Sequence, residues 1–514
     1  MYGILEFCCV NHSDLVSQHK IQGDVLLQRW MSERILKNMV YPFIIQGGMG
    51  IGVSHWRLAK TVSMTGQLGV VSGVALDTIL IRRLQQGDPG EHYRRALEAF
   101  PFPHVTERIL AEYYIPNGKA AEQPFKRIPI FFLNPTKEQL ELNVLANFAE
   151  IYLAKENHSG LVGVNYLEKM QLTNLSALYG AMLAGVDYIL MGAGIPKDIP
   201  RVLDLYADHQ EASLRVSVYG AAGDTDHRIY FDPQVIFGPQ KTPLKRPIFL
   251  AIISSTTLAI SLARKASDKV DGFIIEGNVA GGHNAPPRGK MELNYRGEPI
   301  YGVKDEVDLA KIREMKLPFW LAGSYETHGQ IQYAIEQGAK GVQIGTPFAF
   351  CKESAIRDDI KEAVIQTILN GMTDVFTDPN ASPTGFPFKI LRLEGTLSEA
   401  AVYTERQRIC DLGYLRSTIQ TNVDKIEYRC PAEPVKNFVR KNGCEEDTKG
   451  RICLCNGLLA NVGLAQTQSN GYTEVPLITA GESVVDVKRF IKPGNTSFSA
   501  LDVIEQLTAK MVAV

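Results

Sequence analysis

The chain has 514 residues, 54 basic and 56 acidic side chains and a formal charge of -2, a balance that gives no attraction to nucleic acid or to an anionic membrane surface. Apolar residues make up 45% and charged residues 21%, the composition of a globular protein with a substantial core, which excludes a disordered chain. Such a length is about three times a common domain, yet one elaborated α/β barrel can absorb much of it.

The N-terminal stretch "MYGILEFCCVNHSDLV" has no basic leader and no small-residue cleavage site, and no window offers the roughly 18 apolar residues of a membrane span. The expectation is a cytoplasmic protein with a small-molecule partner, no nucleic acid and no membrane, with room for a homodimer. Residues 1–38 read as a lead segment.

From residue 39 to about 375 the chain alternates short, continuously apolar runs with helix-like stretches. Candidate strands are "FIIQGG" at 43–48, "LGVVSG" at 68–73, "LVGVNY" at 161–166, "DYILMG" at 187–192, "PIFLAII" at 247–253, "GFIIEG" at 272–277, "PFWLAGS" at 318–324 and "GVQIGTPF" at 341–348. Runs apolar at every position suit parallel strands buried on both faces, and eight of them predict an α/β fold of the closed (β/α)8, or TIM, barrel type over an open doubly wound sheet. Two stretches depart from the repeat, about 78–158 after the second strand and about 221–247, and are expected as insertions. Beyond 375 the repeat stops, and 376–514 is expected to form a C-terminal cap or accessory region ending in a helix over "SALDVIEQLTAKMV". Four of the eight cysteines (Cys430, Cys444, Cys453 and Cys455) fall in this region without a C-x-x-C pair, so they read as reduced thiols and no metal is expected. "DTDHRIYFD", with Asp224, Asp226 and His227, reads as a solvated turn for want of a second histidine at ligand spacing.

In a barrel the loops after the strands open onto one face. The seventh and eighth strands run into "AGSYETHGQ" and "IGTPFAFCKES", where bare backbone N–H groups near helix starts favour an anion. Gly323, Ser324, Gly345 and Thr346 are therefore placed around a phosphate. After the first strand, "QGGMGIG" is not G-x-G-x-x-G, so a dinucleotide fold is disfavoured. Its Gly47, Gly48 and Met49 could instead lie against a flat aromatic ring system. His283, in "EGNVAGGHNAPPRG" after the sixth strand, should stand at the barrel mouth, where an imidazole can take a proton near neutral pH.

These motifs resemble a known family. "EGNVAGGHNAPPRG" is similar to the Q-G-x-E-A-G-G-H-x-G signature of nitronate monooxygenases, also called 2-nitropropane dioxygenases, and "GVQIGTPF" to their G-V-Q-M-G-T-x-F. "QGGMG", "GVN" at 163–165 and "ASPTGFP" at 381–387 extend the resemblance over roughly residues 40–390, in order. The resemblance implies a flavin mononucleotide (FMN)-dependent barrel related to flavin-type enoyl reductases. It implies that Gln343, Gly345, Thr346, Gly323 and Ser324 bind FMN, chiefly at its phosphate. By the same resemblance Gly47, Gly48 and Met49 line the isoalloxazine, Asn165, Glu276, Gly281 and Gly282 add contacts, and His283 is the catalytic histidine. Glu276 replaces the usual glutamine, Asn278 and Val279 replace the usual residue followed by glutamate, and "AGS" stands for A-G-G. The activity implied is oxidation of alkyl nitronates with O2 to a carbonyl compound and nitrite. An NAD(P)H-dependent enoyl-thioester reductase on the same scaffold is the alternative, and a non-catalytic phosphate-ligand-binding barrel the third reading.

Overall fold

The computed structural model describes residues 41–221, 225–265, 269–422 and 425–512. The lead segment expected over 1–38 lies outside the described residues, as does Asp224. Eight strands carry the fold: β1 (Ile44–Gln46), β2 (Gly69–Ser72), β3 (Val162–Leu167), β4 (Tyr188–Gly192), β5 (Ile248–Ile253), β6 (Gly272–Glu276), β7 (Phe319–Ala322) and β8 (Gly341–Ile344). They pair in parallel in the order β1-β8-β7-β6-β5-β4-β3-β2. A parallel bridge between Ile45 and Leu68 closes the ring, with the Gln46 N–H donating to Leu68 O at 2.9 Å and the Leu68 N–H to Ile44 O at 3.0 Å. The expected (β/α)8 barrel is the fold found.

Both faces of the strands are buried because alternate residues serve different cores. Ile45, Val70, Tyr188, Leu190, Leu250, Ile274 and Trp320 fill the barrel, and the indole N–H of Trp320 donates to Pro42 O at 2.8 Å. Ile44, Val71, Val164, Ile189, Phe249, Phe273 and Val342 point the other way, into the larger core under the helices.

Expected strands at the barrel mouth are shorter than their apolar runs. The run at 341–348 stops at Ile344, and Thr346–Ala349 is a single helical turn with a proline in its first positions, where a missing N–H costs no hydrogen bond. The seventh strand likewise ends at Ala322, because Gly323 and Ser324 turn left-handed at φ 95° and 56°. Both departures lie at the barrel mouth.

Between β2 and β3 the chain forms helices Leu76–Gln85, His92–Glu98, Pro103–Tyr113 and Lys137–Lys155, the last opened by a reciprocal capping box of Thr136 and Gln139. Before β5, strands Ala212–Arg215 and Arg228–Phe231 pair antiparallel, and Val218–Tyr219 lies parallel to Ser417–Asn422 of the C-terminal part. After residue 375, Val375–Asp378 and Phe388–Leu391 form an antiparallel pair, and the latter also pairs with Gly282–His283 from the loop after β6. The chain ends in the helix Ala500–Val512. Among the described residues no helix is long and apolar enough to cross a membrane.

Candidate active site

The strand ends of the barrel open into a cavity of about 490 Å³, a size that suits a cofactor together with a small ligand. All the residues singled out from the sequence line it: Gly47, Gly48 and Met49 after β1, Asn165 in β3, Glu276, Gly281, Gly282 and His283 at and after β6, Gly323 and Ser324 after β7, and Gln343, Gly345 and Thr346 at the end of β8.

The first loop is held from inside. Gln46 reaches Ser54 Oγ with its Nε2 at 2.9 Å and Val70 O at 3.1 Å, while Ser54 Oγ accepts from the Met49 N–H at 2.9 Å and donates to Gly47 O at 2.9 Å. A Cβ on Gly48 would lie 2.5 Å from Asn165 Cβ, so glycine lets this loop close against β3, and Asn165 Nδ2 donates to Gly48 O at 3.2 Å. Gly345 is different: a Cβ there would meet only the Met49 side chain, 3.5 Å from Sδ and 3.7 Å from Cγ, an ordinary contact that displaces nothing.

The loop after β6 is fixed from the C-terminal part of the chain. Gly282 and His283 pair with Lys389 and Phe388, and the Gly282 N–H donates to Thr479 Oγ1 at 2.8 Å. A Cβ on Gly281 would come 2.8 Å from the carbonyl carbon of Ala480. Lys389 is buried beneath this pairing, where it donates to Thr377 Oγ1 at 2.6 Å and pairs with Glu482 Oε1 at 2.7 Å. The His283 ring meets Phe388 edge-on with centroids 4.9 Å apart, and its Nε2 is 2.7 Å from Ser382 Oγ. Burial, with the nearby Lys169 ammonium second, holds its pKa well below the ordinary value, so the imidazole is neutral at physiological pH.

Burial raises the pKa of Glu276 to about 7. A protonated carboxyl presents one O–H and one carbonyl oxygen, which comes closer to an amide than a carboxylate does. Because the folded pKa stands above the unfolded one, the contribution of Glu276 to stability is full below about pH 4.5 and is lost as pH rises through about 7. Glu276→Gln is therefore expected to raise Tm relative to the parent at pH 8.5 and to leave it nearly unchanged at pH 4.5; equal differences at both values in thermal melts would show that folding does not raise the carboxyl's pKa.

The donor set suits a flavin. Asn165 Oδ1 and Gln343 Oε1 are buried without a hydrogen-bond partner, and both face the cavity, where ring or ribityl N–H and O–H groups would satisfy them. Gly323, Ser324 and Gly345 bring bare or left-handed backbone to the same wall. Thr346 Oγ1 is partly committed, since it accepts from the Gly481 N–H at 3.0 Å, but its own O–H remains to donate.

Several residues at the site carried no recognised role in the sequence: Phe386, Thr479 and Gly481 line the cavity, Lys169 lines a neighbouring one, and Ser382 stands behind the His283 ring. "ASPTGFP" resembled the family without an assigned chemistry, and it places Ser382 and Phe386 beside His283. Thr479 and Gly481 lie in an ordinary-looking stretch, and only tertiary pairing brings them to the mouth. Among the described residues, no group of three or more His, Cys, Asp or Glu side chains is disposed to hold a metal ion.

Residues 239–378 match the nitronate monooxygenase family. That segment runs from just before β5 to the end of Val375–Asp378 and contains Glu276, His283, Gly323 and Gly345. The nitronate monooxygenase match marks the chain as an enzyme of the flavin-dependent oxidoreductase type. No curated protein matches the chain. Among solved structures it is similar to FabK from Thermotoga maritima, at 16% identity over 93% of this chain and 94% of that one with a TM-score of 0.45. It is also similar to nitroalkane oxidase from Streptomyces ansochromogenes, at 17% identity over 93% and 97% with a TM-score of 0.42. A third is the enoyl reductase domain of MlnA from Bacillus amyloliquefaciens, at 12% identity over 91% and 94% with a TM-score of 0.43. Likenesses of this degree carry no weight for function.

Proposed function

We propose that the chain is an FMN-dependent oxidoreductase that converts alkyl nitronates and O2 to a carbonyl compound and nitrite. The observation that carries this reading is the convergence, in one cavity of about 490 Å³, of bare backbone from three strand-end loops, two unpaired amide oxygens and a neutral imidazole. Gly323, Ser324, Gly345 and Thr346 would hold the phosphate, Gly47, Gly48 and Met49 the ring system, and Asn165 and Gln343 its polar edge. FMN bound there would supply the redox chemistry, accepting electrons from the nitronate in a reaction completed by oxygen.

The remaining work belongs to the protein. His283 would orient the nitro group by donating a hydrogen bond to an anionic nitronate, or take the proton from the carbon next to a neutral nitro group. Phe386 and Phe388 close one side of the imidazole, and the apolar wall limits water around the reacting carbon. Glu276, protonated up to about pH 7, adds no negative charge beside a reduced cofactor below that pH.

A second reading, an NAD(P)H-dependent enoyl-thioester reductase, is favoured by one feature. A second cavity of about 250 Å³ shares Met170, Ala193, Gly194, Phe386, Tyr414 and Leu415 with the first, which extends the available space far beyond a small nitronate. An absorption spectrum of the purified protein, repeated anaerobically with propyl-2-nitronate and then with NADH or NADPH, separates the readings. Bleaching of a bound flavin by the nitronate supports the monooxygenase, and bleaching by reduced nicotinamide alone supports the reductase. A colourless protein without affinity for added FMN would leave only a phosphate-ligand-binding barrel.

A further inference from the structure

A continuous row of hydrogen-bonding atoms leads away from His283. Its Nε2 is 2.7 Å from Ser382 Oγ, Ser382 Oγ is 2.8 Å from Thr384 Oγ1, and Lys169 Nζ is 3.3 Å from Thr384 Oγ1. Ser382 is fully buried, and Lys169 stands in the wall of the second cavity with its ammonium 4.7 Å from the Phe386 ring centroid. The turn that carries both hydroxyls is pinned: Arg451 Nη1 donates to the carbonyls of Asn380 and Ser382 at 2.7 and 2.6 Å, and Asp378 Oδ1 accepts from the Asn380 and Ala381 N–H groups. The other ring nitrogen, Nδ1, has no hydrogen-bond partner among the described residues, and the ring lines the main cavity.

Donor and acceptor rules give this row a direction. A charged lysine has only donors, so it donates to Thr384 Oγ1, Thr384 donates to Ser382 Oγ, and the Ser382 hydroxyl donates to Nε2. His283 then carries its proton on Nδ1. A neutral lysine can accept, which lets every bond reverse: Nε2–H donates to Ser382, Ser382 to Thr384, and Thr384 to Nζ. In both arrangements Ser382 Oγ also accepts the Thr384 N–H, at 3.2 Å, without exceeding its two acceptor sites.

We propose that Lys169 is a positioning residue for His283, dictating through Thr384 and Ser382 which ring nitrogen is protonated and so whether the cavity is offered an N–H or a lone pair. The N–H form is suited to an anionic nitronate and the lone-pair form to deprotonating a neutral nitroalkane. In the switch from one form to the other Lys169 gives one proton to Thr384, Thr384 one to Ser382 and Ser382 one to Nε2, while the Nδ1 proton leaves to water in the main cavity, so that one proton is lost in all and the imidazole ends neutral. No electrons move. The substrate half of this assignment rests on the function proposed above; the hydrogen-bond half does not.

The row is poised to reverse in the physiological range. Burial lowers the Lys169 pKa to about 7, opposed by the neighbouring Glu168 carboxylate. Glu168 is itself raised by burial, with Asp198 behind it, and bonded by Gln171. On the other side of the row stand Arg451 and Asp378, whose polar atoms are engaged by the turn backbone, and Glu276 shares the main cavity with His283.

The test uses the full-length, FMN-loaded protein with ¹⁵N-labelled histidine, the His283 ring nitrogens being assigned by comparison with His283→Asn. The parent protein is expected to carry the His283 proton on Nδ1 at pH 6 and on Nε2 at pH 8.5. Lys169→Met removes the donor while keeping the length, and Thr384→Val interrupts the row while keeping Lys169; each is expected to show one tautomer at both pH values. A parent tautomer that does not change, or a change that persists in both variants, would overturn the proposal. In parallel, the KM for propyl-2-nitronate is expected to rise about tenfold for each pH unit above 7 in the parent and to stay flat in Lys169→Met. Absence of turnover by the parent would refute the proposed function while the tautomer measurement stands.

Discussion

His283→Ala is expected to leave FMN bound with near-parental affinity and to lower kcat for a neutral nitroalkane by about 10²–10⁴-fold, the usual worth of a positioned proton-transfer group. The separation of effects follows from geometry. The imidazole is held by Ser382 and Phe386 from the connection between the two C-terminal strands and by Phe388 at the start of the second, while the proposed cofactor contacts come from the ends of β1, β3, β7 and β8. Removing the ring leaves the backbone pairing of Gly282–His283 with Phe388–Lys389 intact, because that pairing uses main-chain groups. Flavin content by absorbance, alongside steady-state rates from pH 6 to 8, checks the prediction. Unchanged rates would remove His283 from the chemistry, and loss of flavin would make it a cofactor contact.

Gly345→Glu is expected to expel the cofactor. The position opens onto the cavity, with nothing nearer to an added Cβ than Met49 Sδ at 3.5 Å, so the new side chain has room to enter without disturbing the fold. There its carboxylate would meet the phosphate in a site with little water, a conflict of about 3 kcal/mol or more and so about 100-fold or more in Kd. Isothermal titration of the apoprotein with FMN measures it, and Gly345→Ala, which adds only the tolerated Cβ, separates bulk from charge. Equal affinity for parent and Gly345→Glu would put the phosphate elsewhere.

Much of the barrel was legible because a strand buried on both faces must be apolar at every position, and β3 to β6 stand within a residue of their apolar runs. The misreading at 341–348 has a local cause: Thr346 and Phe348, β-branched and aromatic, are residue types that strands favour, yet Gly345 ends β8 and Pro347 starts a helical turn. The glycine loops were legible as a group but not by purpose. Gly48 and Gly281 are glycine so that another backbone or side chain can come close, whereas a Cβ on Gly345 would make only an ordinary contact with Met49. Illegible altogether was the support of His283, because a pairing two residues long, 105 positions distant in the case of His283 and Phe388, leaves no periodicity behind. Lys169 gave no signal either, since its meaning depends on hydroxyls more than 200 residues away.

The antiparallel seam between Gly282–His283 and Phe388–Lys389, reinforced by Thr479, binds the latter part of the chain to the chemistry itself. A shortened version ending after the last barrel helix would retain all eight strands in its sequence, yet it would free the imidazole's loop from this seam and strip Leu454, Val484, Phe490 and Val503 from the shared apolar core. Trimming such a protein to its smallest repeat would therefore cost the vessel part of its wall as well as the fixed place of that ring.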